Sequence, residues 1–271
     1  MSELKKGRAT IAIINYKTLE CTRLCLRSIR RFTQYPHDVL VVDNDSGDQS
    51  LAYLKNLHWI RLIERQAVDG EDGGHAHAAA LDLALQHCQT EFFVSMHSDT
   101  FVRQENWLTE LISHFAAEPS VACVGSGKIE LIPAWRRWLK NATDLRAFKR
   151  RLLKKPDPLG IYRHYNRTIC CVYRTEVLRD EDLSFAMDYD KGLTGGKKLY
   201  FELVDRGHPT VELPASLMGR YVVHIAHATQ VFNADEFTLR GRTVKKCHAL
   251  AGKILSTPPF SDMLADASLD G

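Results

Sequence analysis

Three observations in roughly the first 125 residues of this 271-residue chain predict an α/β fold built on a doubly wound, mostly parallel sheet. Short apolar runs of strand character alternate with stretches of helical spacing. Two of the runs, Asp38–Ser46 and Glu91–Thr100, end abruptly in polar segments that carry carboxylates. Turn-forming residues such as Tyr35-Pro36-His37 punctuate the transitions.

The elements follow in order. Thr10–Tyr16 reads as a buried first strand. Thr18 or Glu20 then opens a helix with Leu24, Cys25, Ser28, Ile29 and Phe32 at helical spacing. After Pro36 comes the strand Val39–Asp43, and the turn Asn44–Asp48 caps a helix through Leu51 and Leu54. A short strand, Ile60–Glu64, leads to the acidic, glycine-rich loop Asp69–Gly74 and a helix over His75–His87. The strand Phe92–Met96, a helix from Glu105–Leu108 to Phe115, and the strand Val121–Gly125 complete the series. The second half is less regular. A basic helical stretch spans Trp135–Lys155, and a strand is expected at Thr168–Tyr173. The helix Lys197–Arg206 ends at Gly207 as its C′ glycine. Strands follow at Thr210–Pro214 and Tyr221–His224, and the tail after Thr257-Pro258-Pro259 reads as loose.

Composition bounds the function. A 271-residue chain can bury a full core, with 45% hydrophobic and 25% charged residues and a net charge of only +3. That balance gives no reason to expect nucleic acid as a partner. No stretch approaches the ~18–20 apolar residues of a membrane span, and the N-terminus lacks the apolar region of a signal peptide. Seven cysteines without a repeated CxxC spacing read as reduced thiols, with Cys170 and Cys171 in the core. A cytoplasmic location is the expectation.

The chemistry points to the strand ends. In an open α/β sheet, ligands bind beyond the carboxyl ends of the strands. A carboxylate exposed there holds a hard cation, which in turn holds a phosphate. Asp43 and Asp99 are the two acids so placed, and they suggest a site for a metal-bound nucleotide. For Asp43 the alternative is a turn carboxylate capping the next helix, a task for which Asp45 is better placed. For Asp99 the alternative is an N-cap or Asx-turn acid at a strand end. The loop Gly70–Gly74 lacks both the GxxxxGK[ST] and GxGxxG spacings, and its acids repel an anion, so it reads as an edge of the pocket.

Taken together these residues resemble a family 2 glycosyltransferase of the GT-A fold. Ile11–Tyr16 with Cys25–Ile29 resembles the family's first strand and helix, and Val41–Ser46 its nucleoside-binding signature. His97-Ser98-Asp99 stands where the family has its Asp-x-Asp metal motif, and Asn106-Trp107-Leu108 and Val121–Gly125 also fit. The resemblance covers about residues 9–230, which we divide into a nucleotide-sugar-binding half, 1–125, and an acceptor-side half, 126–230. Residues 231–271 form a C-terminal helical extension and tail. It implies an inverting transfer from a nucleotide-sugar donor, UDP- or dTDP-linked, to a saccharide or lipid-linked acceptor, assisted by Mn²⁺ or Mg²⁺. It further implies that Asn15, Tyr16, Asp43, Asn44 and Ser98 contact the nucleotide, with Asp99, His224 and His97 at the metal and His227 as a substitute for His224.

Two departures from the family pattern are visible. The first acid of the metal motif is His97. The family's acidic pair, about eleven residues before the glycine aligned with Gly207, is replaced by Gly195-Gly196, so the base is sought upstream at Asp190, with Asp188 second. The stretch 135–155 carries nine Lys and Arg against the single acid Asp144. It reads as a contact for a membrane surface or an anionic acceptor, or else as a packed helix with a solvated basic face. Bacterial surface-polysaccharide assembly, at the inner face of the membrane, is the context implied. A catalytically inactive nucleotide-sugar-binding module and a sugar-phosphate nucleotidyltransferase remain as alternatives.

Overall fold

A computed structural model describes residues 3–127, 165–188, 190–226, 228–233, 235–237 and 241–271. The basic stretch 135–155 and His227 lie outside the described residues.

The alternation read from the sequence is present. Strand β1 (Lys5–Asn15) leads through helix α1 (Leu19–Phe32) to β2 (His37–Asn44), then through α2 (Gln49–Lys55) to β3 (Arg61–Arg65). Helix α3 (Gly73–His87) returns the chain to β4 (Thr90–His97), and β5 (Thr100–Val102) and α4 (Trp107–Ala117) precede β6 (Cys123–Ser126). Later come β7 (Cys170–Arg174), β8 (Thr210–Leu213) and β9 (Val222–His224). Among the described residues seven strands form one sheet in the order β3-β2-β1-β4-β7-β6-β8. Pairing is parallel except at β7, which runs antiparallel to β4 and β6.

Period-two alternation sends neighbouring side chains of each strand to opposite faces. Ile11, Ile13, Val39, Val41 and Val94 face one apolar cluster with α1 and α4. Ala12, Ile14, Leu40, Val42 and Phe93 face a second cluster with α3. Both faces are thus covered, as a parallel sheet requires. Chain order reverses across β1, which has β2 on one side and β4 on the other. Such a switch point opens a crevice at the carboxyl ends of the strands.

Several expectations are corrected. Helix α3 begins at Gly73 rather than His75, because the Asp72 carboxylate accepts from the Gly74 and His75 amides at 2.7 and 3.1 Å. Asp48, not Asp45, caps α2 by accepting from the Ser50 amide at 2.9 Å. The strand expected at Tyr221–His224 begins at Val222 and leaves the main sheet, pairing antiparallel with β5 so that Thr100 lies opposite His224. The tail is not loose. A helix at Phe260–Ala265 buries Phe260 and Met263 in the α1 cluster, and a 3₁₀ turn at Ala267–Asp270 follows.

The physical reason for the ordered tail is Arg27. Its side chain, on the buried face of α1, is only 5% exposed. A buried guanidinium needs acceptors, and the tail supplies all of those found among the described residues. Asp270 accepts from Nε at 2.9 Å and Nη2 at 2.5 Å, and the Met263 and Leu264 carbonyls accept from Nη1. Tyr53 donates to the same carboxylate at 2.7 Å. We predict that Asp270→Ala lowers unfolding free energy by about 2 kcal/mol, the scale of a lost charge-assisted hydrogen bond. Urea denaturation measures it, and an unchanged midpoint contradicts the tail's role.

Candidate active site

A cavity of about 820 Å³ opens at the carboxyl ends of β3, β2, β1 and β4, a size suited to a nucleotide-scale ligand. Arg65, Asn44, Ile14 with Tyr16, and His97-Ser98-Asp99 line it in that order across the sheet. The opposite wall combines the start of α3 with Thr168, Phe185, Met187 and the segment Thr194–Gly196. Residues 228–230, 236 and 237 close it on the third side. There the Tyr16 hydroxyl donates to Glu236 at 2.6 Å, Lys17 pairs with the same carboxylate, and Phe237 stands edge-on to Tyr16 at 6.4 Å.

Beneath the floor lies a closed polar network. Asp43, 1% exposed, accepts from Asn15 Nδ2 at 2.6 Å, from the Ser46 hydroxyl at 2.6 Å and from the Ser46 amide at 3.0 Å. Asn15 is fully buried, donates also to Ser50 Oγ at 2.8 Å, and accepts from Thr22 Oγ1 at 2.6 Å. The network fixes the turn after β2 and so aims Asn44 at the cavity. Asn44 Oδ1 accepts from Arg65 at 2.8 Å, and Arg65 is clamped by both Glu71 oxygens at 2.7 Å.

At the end of β4, Asp99 sits between two histidines. Its Oδ1 lies 3.2 Å from His224 Nε2 and 3.9 Å from His97 Nδ1, and Oδ2 accepts from the Ala228 amide at 3.3 Å. One potential ligand atom from each of His97, Asp99 and His224 falls within 4.8 Å of the other two, close enough for the three to hold one metal ion together. Burial pushes the Asp99 carboxyl up, but His224, His97 and the Ala228 amide outweigh it and hold the group well below the usual carboxylate range. Burial, reinforced by neighbouring His77, pushes His97 down to about 3 despite the opposing pull of Asp99. Burial likewise takes His77 to about 4. Both imidazoles are therefore neutral near pH 7, the form that coordinates a cation.

The structure thus brings Tyr16, Asn44, His97, Ser98 and Asp99 to one cavity, with His224 against Asp99. Asn15 and Asp43 lie under its floor rather than on its wall. Asp188 and Asp190 belong to the segment between Met187 and Thr194, both of which line the cavity, but neither carboxylate does. Asp188 accepts from the Lys191 amide at 3.1 Å and pairs with its Nζ at 3.2 Å, and Asp190 is exposed. Sequence reasoning missed His77, which stands edge-on to His97 at 5.0 Å with a buried, unpartnered Nε2. It also missed Thr168, the Arg65–Glu71 clamp and the Glu236-Phe237 strap. The pattern His75-Ala76-His77 at the start of an otherwise apolar helix was the available signal for the first.

The fold has known counterparts. A mannosyltransferase, PcManGT from Pyrobaculum calidifontis, in complex with GDP-Man and Mn²⁺, is similar at 17% identity and a TM-score of 0.56, covering 95% of this chain and 72% of that one. S. aureus TarS 1-349 is similar at 14% identity and a TM-score of 0.52, covering 94% and 68%. Its complex with UDP-GlcNAc gives 16% and 0.50, covering 94% and 69%. A search of curated protein sequences finds no significant match. The fold is the GT-A architecture of these glycosyltransferases. The profile described as glycosyl transferase family 2 matches residues 10–181, more than half of the chain, and the chain belongs to that family.

The depressed histidines set a pH dependence. Below their ordinary value of 6.5, His77 and His97 take up protons in the unfolded chain but not in the fold until about pH 4 and 3. Stability from this source is complete above pH 6.5 and declines as the pH falls through that window. Histidine NMR is expected to show two imidazoles that stay neutral from pH 8 to 5. Titration of every ring near 6.5 contradicts the burial argument.

Proposed function

We propose that this glycosyltransferase moves a sugar, with inversion, from a nucleoside-diphosphate donor to a saccharide or lipid-linked acceptor. The observation that carries this reading is the His97–Asp99–His224 cluster at the carboxyl end of β4, whose His97 and Asp99 line a nucleotide-sized cavity with His224 behind Asp99. The donor nucleoside lies over β1–β3, with Asn44 and Tyr16 touching it and the Asn15–Asp43 network holding their turn. UDP- and dTDP-linked donors are our first candidates. The complexes of similar folds with GDP-Man and UDP-GlcNAc make GDP a third candidate to include in the test. Ser98 and the cluster meet the diphosphate. When bound there, Mn²⁺ or Mg²⁺ neutralises the charge that develops on the leaving diphosphate.

The acceptor hydroxyl attacks the sugar carbon from the face opposite the diphosphate. Its oxygen forms the new bond while the carbon–phosphate oxygen bond breaks and its electron pair leaves with the diphosphate. The hydroxyl proton goes to a carboxylate. We assign that base to Asp190, with Asp188 second, because their segment borders the cavity beyond Met187. The Lys191 pairing holds Asp188 below the usual carboxylate range, which makes it the weaker base. Among the described residues no helix is long and apolar enough to cross a membrane. Assembly of a surface polysaccharide or glycoconjugate at the cytoplasmic face of a membrane, with 135–155 as the surface contact, is the setting we propose. The glycine pair at 195–196 favours one second reading, a module that binds the donor without turnover.

Thermal-shift screening of UDP, dTDP and GDP with and without Mn²⁺ tests the donor site, and stabilisation by none of them contradicts it. For a donor that is turned over, Asp99→Asn is expected to cost about 10²–10³ in kcat, the scale of one lost transition-state contact. Asp190→Asn is expected to lose most turnover while nucleotide binding stays. Unchanged turnover in both Asp188→Asn and Asp190→Asn removes the base assignment, and donor binding with no turnover in the parent favours the inactive module.

A further inference from the structure

Two of the three donors in the cation cluster are imidazole nitrogens, so what orients His97 decides what the cluster holds. One ring nitrogen, Nδ1, faces Asp99. The other, Nε2, lies 3.2 Å from Thr168 Oγ1. The backbone of this region is pinned, since the His97 amide donates to the Ile169 carbonyl at 3.1 Å. Thr168 in turn packs against the start of the helix Gly195–Asp205. A Cβ at Gly196 would lie 2.6 Å from Thr168 Cγ2, and one at Gly195 only 2.1 Å from the Phe185 carbonyl oxygen. The wall therefore admits no side chain at either position without movement. The threonine methyl and hydroxyl share one Cβ and turn together about χ1, so displacing the methyl takes the hydroxyl away from His97.

We propose that Gly196 and Thr168 are the outer support of the cation site and that this support makes the site selective for Co²⁺, Zn²⁺ or Mn²⁺ over Mg²⁺. Gly196 leaves room for the Thr168 methyl. The Thr168 hydroxyl accepts the Nε2 proton of His97. The Nδ1 lone pair then faces the same point as Asp99 and His224. Two nitrogens and one carboxylate suit borderline transition metals, whereas Mg²⁺ is matched by oxygen donors. An acid at position 196 is sterically incompatible with the contact that aims the histidine at position 97. Thr168 and Gly196 are positioning residues, acting through His97. The inference rests on reading the cluster as a metal site and is independent of which sugar nucleotide is used.

The test is titration of the full chain, without nucleotide, with Co²⁺, following its visible absorption bands, and competition by Mg²⁺ and Zn²⁺. One Co²⁺ is expected to bind, with Zn²⁺ displacing it and Mg²⁺ failing to at tenfold or more higher concentration, an order-of-magnitude margin. The isosteric Thr168→Val, and separately Gly196→Ala, are expected to weaken Co²⁺ binding about 10–100-fold and alter its spectrum, the range for lost outer support. The double variant Thr168→Ser/Gly196→Ala keeps the hydroxyl and removes the clashing methyl, and is expected to regain the parent's affinity and spectrum. Circular dichroism confirms folding. If Gly196→Ala does not fold, Thr168→Val and the Mg²⁺ competition decide. Displacement of Co²⁺ by comparable Mg²⁺, parental binding in Thr168→Val, or a folded double variant no better than a folded Gly196→Ala overturns the proposal. Absence of any Co²⁺ binding overturns both this and the metal assignment. Intact Co²⁺ selectivity in a protein that binds no nucleotide overturns only the transfer reading.

Discussion

The architecture of the site depends on one buried carboxylate. Asp99 is 7% exposed at the end of a central strand, and an ionised group so placed must be paired. Its partners come from far along the chain: His224 at the end of β9 and the Ala228 amide just beyond. The short β5–β9 ribbon is what delivers them, because Thr100, next to Asp99, lies in register opposite His224. The pairing thus folds the C-terminal third back over the switch point of the sheet. Glu236 and Phe237 then reach Tyr16 on the far side of the same cavity. Removing the carboxylate alone would leave two histidines and an amide facing an emptied position, so packing and chemistry here share one determinant.

Around that charge the walls of the cavity differ in character. Over β1–β3 the cavity is bounded by groups held by their neighbours: Arg65 by Glu71, and Asn44 on a turn fixed by the Asn15–Asp43 pair beneath the floor. Fixed polar surfaces of this kind orient a ligand without paying rotamer entropy at binding. Beyond Asp99 the wall passes to Thr168, Phe185 and the Gly195-Gly196 pair, which are packed too closely to admit further side chains. Family membership and the GT-A likeness extend across both of these walls of the cavity.

Much of this was legible in the sequence because period-two runs ending in acids are local signals. The strands through β4, the order of the first helices and the grouping of His97, Ser98 and Asp99 at one strand end all follow from residues adjacent in the chain. What was not legible depends on distant partners. The β5–β9 ribbon has only three residues a side and no periodicity to detect. The tail looked loose because its prolines and short helices carry no long pattern, yet a buried arginine on α1 demanded its carboxylate. Thr168 shows the same limit: nothing in its neighbourhood of sequence announces a histidine 71 residues away.

The central claim, that Asp99 with its two histidines holds a cation on a nucleoside diphosphate, is tested most directly by ³¹P NMR. Substoichiometric Mn²⁺ is added to the nucleoside diphosphate in the presence of the parent chain or Asp99→Asn. The account predicts broadening of both phosphorus resonances well beyond that of the free Mn²⁺–nucleotide with the parent, and none beyond it with the variant. Equal broadening by both proteins would contradict the account.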